Sequence, residues 1–448
     1  MTSVILEPTK TNNDEYLQNL VEQNKAKVSA EFLNDLRQTA VTEIQNLKLP
    51  HRRDEEWQFT DISELLQTNF QVAQNVELST EALNPFILPE ASASRLVFVN
   101  GYYAANLSDV SGLPDGVFVS NLSEFAAYAQ KQEFVKYLGQ QKGDVFTTLN
   151  TTGLTDAAMV WVNPDVVVET PIHLLFLTII SKTAAISQPR ILIVAQRNSK
   201  LNLVEYYGAV AKNCSDVPRN LPYLTNVVSE IYIEENAEIN HTRIQRESGD
   251  GFQIARSAIV QSRDSRYTCN DINFGGKLSR HQLDIYQNGE QTETNLYGLT
   301  LIGREQTSDT HSAIYLNHPY GTTNQLHKCI VDNAAHAVFN GKVFVPKPAQ
   351  LTNAAQLNRN LLLSPKARIN TKPELQITAD NVKCSHGATV SQLEADELFY
   401  LRSRGLTEEN AKHLLLDAFA AEILDKIPLK SLRQRLSQCV ACRTLEIE

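Results

Sequence analysis

Two metal-capable side chains, Cys384 and His386, stand one residue apart in the run Lys383-Cys384-Ser385-His386-Gly387-Ala388-Thr389-Val390. Alternate side chains of an extended strand share a face, so these two project the same way, about 6.6 Å apart along the chain. That separation lets them share an ion or a small cluster. Two protein ligands are too few for a closed site, because a structural zinc and an iron–sulfur cluster each take four. Either the rest of the shell comes from elsewhere or the site is open. Read from these residues alone, a buried cysteine beside a hydrogen-bonded histidine is favoured over a ligand pair, since cysteine is commonly a small core residue.

The other chemistry-bearing side chains have plainer readings. His327 and Cys329 repeat the one-residue gap, and core packing is expected for them. Cys439 and Cys442 form a C-x-x-C without the thioredoxin-like context of a redox pair, so they stay unassigned. Asp309, Thr310, His311 and His318 could serve acid–base chemistry, as could Asp332 and His336, but a hydrogen-bond ladder on a strand face is expected. Glu205, Glu234 and Glu235 are read as solvated turn or face residues. No G-x-x-x-x-G-K-[ST] phosphate loop occurs, since Gly276-Lys277 is followed by Leu278. The chain is therefore not expected to hydrolyse ATP by itself. G-x-G-x-x-G, H-E-x-x-H and cluster-type C-x-x-C-x-x-C motifs are also absent from the sequence.

The elements that must position the Cys384–His386 pair follow from periodicity. Residues 14 to 48 read as two helices ended by Pro50, a docking or packing pair. Between Trp57 and Gly153 the pattern is mixed, with a strand at Leu96 to Val99, an Asn100-Gly101 turn and a helix from Ser123 to Leu138. From Met159 to Ile377, runs of four to eight β-branched and aliphatic residues follow one another, punctuated by Arg197-Asn198-Ser199, Glu234-Glu235-Asn236, Asn288-Gly289 and Asn340-Gly341. So long a region suits a solenoid whose coils bury their inner faces on one another. From the pattern alone, a parallel β-helix and a large double sandwich remain alternatives. After Thr389 the helical period returns. Ser391-Gln392-Leu393-Glu394 has the form of a capping box, Gly405 is a stop, Thr407 caps the next helix, and Pro428 opens a last one to about Val440. The expected units are 1–158, helical and mixed; 159–388, the β core; and 389–448, helical.

Composition bounds the function classes. At 448 residues, 42% aliphatic, aromatic or cysteine and 21% charged, the chain has an ordinary globular make-up and exceeds one simple core. A net charge of −10 without a basic run argues against nucleic acid or a membrane surface as main partner. The longest apolar run, Ile172 to Ile180, is too short to span a bilayer. Residues 1–16 lack the blocks of a signal or transit peptide, and six cysteines form no disulfide framework. The expected location is cytoplasmic.

The wording of several segments carries a resemblance. Val382 to Val390, Leu398-Phe399-Tyr400-Leu401-Arg402-Ser403-Arg404-Gly405 and Ala418-Phe419-Ala420-Ala421-Glu422 resemble SufD-type subunits of the SUF iron–sulfur cluster assembly system. So do Leu49-Pro50 through Glu55-Glu56-Trp57, Gln325-Leu326-His327-Lys328 and Phe339-Asn340-Gly341. The resemblance spans roughly residues 45 to 425. It implies a mainly β fold, a right-handed parallel β-helix core with helical N-terminal and C-terminal regions. It also implies a non-catalytic scaffold subunit of a SufBCD complex. In this family the histidine of the Cys-Ser-His phrase is linked to cluster assembly at the contact with SufB, which contributes a cysteine. Transferred to this sequence, His386 becomes the leading metal site and Cys384 a weaker one. The nascent cluster or iron would be held transiently and shared with a SufB-like β-helix subunit, in a heterodimer or a homodimer. SufC, an ABC-type ATPase, would dock on the helices from about Glu394 to Leu424. Two alternatives compete: the sister subunit SufB itself, and a β-helix carbohydrate-active enzyme, which would need acidic or basic side chains clustered on one exposed coil face.

Overall fold

The computed structural model describes residues 13–25, 31–128, 132–210, 218 and 220–445. Their β-rich middle winds into a parallel β-solenoid of about eight turns, with helices toward both termini. Each coil gives one strand to each of two sheets. The first sheet runs Ala158–Val162, Arg190–Ala195, Tyr223–Ile233, Gly251–Gln261, Leu278–Gln287, Thr307–Leu316, His336–Val345, Arg368–Ile377. The second runs Arg95–Val99, Ile172–Ile179, Lys200–Val210, Glu238–Arg246, Arg266–Asn273, Glu293–Ile302, Thr322–Val331, Asn353–Leu362, Lys383–Ser391. The double sandwich is thereby excluded.

The polar punctuation makes the corners. Asn198, Asn236, Asp264 and Asn333 adopt positive φ of 59°, 56°, 59° and 50°. Asn and Asp tolerate this left-handed region because their short side chains bond locally, so the chain can swing from one sheet to the other there. Parallel pairing then places equivalent positions in columns that share a face. Leu203, His241, Cys269, Leu296, Gln325, Gln356 and His386 form one such column.

The inner columns begin apolar, with Ile191, Ile193, Leu201, Ile231 and Ile233 buried together. They then turn polar. Glu205, His241, Arg243, Asp271, His281 and His327 are buried, so the expectation of a solvated Glu205 was wrong. Its carboxylate lies 3.3 Å from His241 Nε2 and 3.8 Å from Arg243 Nε, and accepts the Tyr207 hydroxyl at 2.5 Å. Charge pairing is what makes the burial tolerable.

The two ends of the solenoid differ. At the first, antiparallel strands Val117–Asn121 and Tyr102–Tyr103 add to Ala158–Val162 and Arg95–Val99. At the other, Arg368–Ile377 and Lys383–Ser391 end their sheets, each bonded to one neighbouring strand. Their side chains are exposed or half-buried.

The helical regions follow the sequence with local corrections. Helices Asn13–Lys25 and Asn34–Glu43 form the expected N-terminal pair. The segment read as one helix from Ser123 to Leu138 is a short helix Leu122–Tyr128 and a 3-10 turn Gln132–Lys136. The capping box at Ser391 does not form: the strand runs through Ser391, and helix Ala395–Ser403 starts after Glu394 without a side-chain cap. Strand pairing to Asn353–Leu362 holds those residues extended. Thr407 does cap helix Glu408–Leu424, its hydroxyl accepting Asn410 N–H at 3.2 Å. The last helix is Lys430–Leu445.

Candidate functional site

Cys384 and His386 lie in Lys383–Ser391, the last strand of the second sheet. Register fixes which way they face. Cys384 pairs with Ala354 and His386 with Gln356, both buried inner-face residues of the preceding coil. Gln356 Nε2 donates to Gln325 Oε1 at 2.8 Å, and Gln325 Nε2 donates to Ser312 Oγ of the facing sheet at 2.8 Å. Both residues therefore sit on the inner face of the final coil, where a further coil would otherwise cover them. Nothing among the described residues does: His386 is exposed, and Cys384 is half-buried against the apolar core. Burial pushes the Cys384 thiol up, partly offset by a hydrogen bond with the Ala354 backbone. A thiol and an imidazole on one face suit iron or zinc chemistry, and metal binding would displace the thiol proton. Among the described residues no three His, Cys, Asp or Glu side chains converge closely enough to hold a metal ion.

The remaining candidates separate clearly. His327 and Cys329 are core residues: the imidazole stacks on Phe339 at 4.9 Å between centroids and meets Thr300 Oγ1 at 3.1 Å. Burial depresses His327 to about 4, and burial pushes the Cys329 thiol up to about 12. Asp309 and His311 come together on the outer face of the first sheet, Nε2 to Oδ1 at 2.9 Å, while His318 is exposed in a loop and joins no cluster. His336 Nε2 bonds Asn370 Oδ1 at 2.7 Å, and Asp332 accepts the Asn333 N–H. Cys439 and Cys442 lie on the last helix, half-buried and exposed respectively; Cys214 is outside the described residues.

Sequence reasoning missed a buried cluster around Cys269. Its thiol neighbours His241 in the same column, and His241 Nδ1 meets the Tyr267 hydroxyl at 2.9 Å. Burial alone would depress this imidazole. Contacts with Cys269 and Glu205 outweigh it and push His241 up to about 10. The signal was available in the strand register, which aligns His241 over Cys269 and Arg243 over Asp271.

The recognised phrases meet in space. Lys328 emerges from the outer face of the second sheet and donates to the Phe419 carbonyl at 2.9 Å, its ammonium 4.2 Å from the Phe419 ring centroid and paired with Glu422. Helix Glu408–Leu424 is thereby pinned to the solenoid, with Leu416, Ala420 and Ile423 buried in one apolar cluster with Leu299 and Ile330 of the second sheet. The next helix back, Ala395–Ser403, buries none of its residues, and Phe399 and Tyr400 are 75% and 56% exposed.

Comparison with known proteins agrees with this architecture. Residues 178–419 match the family described as SUF system FeS cluster assembly, SufBD core domain. Residues 11–174 match the SufBD protein N-terminal region. An iron–sulfur cluster assembly SufBD family protein of Synechocystis is 55% identical over 439 residues, 97% of each chain. Protein ABCI7, chloroplastic, of Arabidopsis thaliana is 33% identical over 446 residues, 97% of this chain and 92% of its own. The iron–sulfur cluster assembly protein SufD of Escherichia coli is 26% identical over 404 residues, 87% and 88% of the two chains. The open-ended parallel solenoid, its terminal helices and these matches together establish that the chain belongs to the SufBD family of iron–sulfur cluster assembly proteins.

Proposed function

We propose that this chain is a non-catalytic scaffold subunit on which a nascent iron–sulfur cluster, or the iron for it, is held transiently between two chains. His386 is the leading ligand and Cys384 the second. A SufB-like solenoid subunit supplies the rest of the shell, and a SufC-type ABC ATPase on the C-terminal helices supplies ATP hydrolysis. The observation that carries this reading is the uncovered final coil, which offers an exposed imidazole and a neighbouring thiol on a face built to be covered. A terminal strand with unpaired backbone groups is a template for another sheet, so a second solenoid fits there by continuing the ladders. A shell split between two chains opens when they part, which suits handing a cluster on. The bare helix with Phe399 and Tyr400 outward suits a partner with an apolar groove.

Within the described residues no helix is long and apolar enough to cross a membrane. We place the chain in the cytoplasm or, as the name of the Arabidopsis relative suggests for that protein, in a plastid. The sister-subunit and carbohydrate-enzyme readings gain no observation of their own.

His386→Ala and Cys384→Ser test the site. Each variant should fold with unchanged thermal stability, because an exposed and a half-buried side chain on an uncovered coil cost roughly 0.5 kcal/mol or less on removal. In a complex purified with its partners, cluster reconstitution followed by visible absorbance should fall strongly for His386→Ala and less for Cys384→Ser. Normal cluster yield in both variants would refute the assignment.

A further inference from the structure

Residues 51–60 lie across the outer face of the first sheet, and their side chains reach four successive coils. The Arg280 guanidinium of strand Leu278–Gln287 sits 3.9 Å from the Trp57 ring centroid. Thr60 Oγ1 donates to Asp309 Oδ2 at 2.5 Å, and Asp309 also pairs with Arg280. Glu56 meets His311 Nδ1 at 3.1 Å and pairs with Lys342 of strand His336–Val345. Glu55 accepts Lys372 Nζ at 2.6 Å. Lys372 belongs to Arg368–Ile377, the terminal strand that has a ladder on one side only. A strand so placed has little else to hold it, because its side chains stay exposed or half-buried.

We propose that residues 51–60 are a clasp that locks the terminal coil onto the body of the solenoid, with Glu56 and His311 as its positioning residues. The clasp rests on the proposed function only for its purpose, which is to keep the docking edge beside His386 in register. Its parts are unequal. Glu55 and Lys372 are 68% and 36% exposed, and such surface pairs contribute little. Glu56 joins a His311 ring that is 6% exposed, and this is the rivet.

His311 faces the carboxylates of Asp309 and Glu56 and the cation of Arg280; Glu56 faces His311 and Lys342. Burial and Arg280 disfavour the imidazolium, yet the two carboxylates prevail and His311 is raised above its ordinary value. A raised folded value means that its contribution is fully present below the unfolded value near 6.5 and fades as pH rises through the folded value. The clasp should therefore loosen at alkaline pH.

Hydrogen exchange read by mass spectrometry on the full chain alone tests this without any partner. Glu56→Gln should raise exchange of backbone amides in residues 336–345 about tenfold or more, since its charged contacts to His311 and Lys342 are lost, and in residues 368–377, which are laddered onto that strand, by at least as much. Glu55→Gln should raise it by no more than about threefold. Strand Tyr223–Ile233 and the His386→Ala chain should exchange as in the parent. Should Glu56→Gln fail to fold, the parent chain carries the test: after correction for intrinsic exchange, residues 368–377 should lose protection selectively above neutral pH. Unchanged exchange in 368–377 in the variant, uniform loosening of the solenoid, or a flat pH profile in the parent would overturn the clasp, whatever the fate of the His386 assignment.

Discussion

Lys328 and Glu422 join the solenoid to helix Glu408–Leu424, and their unequal burial predicts an unequal response to mutation. The Lys328 side chain is 3% exposed and that of Glu422 is 44% exposed. Replacing Lys328 by Met leaves a carboxylate that water can reach and that keeps Arg359 at 3.5 Å. The thioether still packs on the Phe419 ring, so the loss is mainly the hydrogen bond to the Phe419 carbonyl, about 1–2 kcal/mol. Replacing Glu422 by Ala strands a buried ammonium with one carbonyl and one ring for company. Removing one partner of a buried pair costs about 3–5 kcal/mol, and the solvent access of Glu422 discounts this to roughly 2–4 kcal/mol. The carboxylate variant should thus be the worse of the two, although it is the more exposed residue that changes. Hydrogen exchange within Glu408–Leu424 reads the local opening free energy directly, and a urea melt followed by helical circular dichroism gives an independent ranking. If Lys328→Met opens the helix as readily as Glu422→Ala, the desolvation argument fails and the junction is held by apolar packing in the cluster around Leu299 and Ile330 alone.

Two further outcomes follow from the interior and a third from a helix cap. A Cβ at Gly298 would lie 2.0 Å from His327 Nδ1, and the ring is backed by Phe339, so Gly298→Ala should cost about 1–3 kcal/mol in denaturant unfolding. His241, raised to about 10, contributes stability that is complete below its unfolded value near 6.5 and is lost as pH rises through 10; thermal melts of the parent should decline over that window and those of His241→Gln should decline less. Thr407→Ala removes the cap of helix Glu408–Leu424 and should cost about 1 kcal/mol, seen as faster exchange in the first turn with the solenoid unaffected.

How much of this was legible in the sequence depended on whether the governing interaction is local. Corners such as Asn198 and Asn236 announce themselves, because a left-handed backbone selects its residue type at that position. Runs such as Arg190 to Ala195 announce a strand for the same reason, though the choice between sandwich and solenoid depends on which strand lies beside which. Glu205 shows the limit. Its acceptability inside the core is created by His241 and Arg243 one coil later, so its own neighbourhood in the chain reads as an ordinary polar face. Ser391 shows the converse: a local capping pattern is overruled because the ladder to Asn353–Leu362 holds the segment extended. The candidate site falls between these cases. Strand alternation put Cys384 and His386 on one side from sequence alone. Which side it was, and that it is the inner face of a coil with no successor, required the register to Ala354 and Gln356. An inner face left open at the end of a solenoid is apolar and hydrogen-bonding surface that earlier coils all cover, and the exposed His386 imidazole stands there. Exposure of that ring at the last described coil is a property of how the coils stack, which is why no window of the sequence could have displayed it.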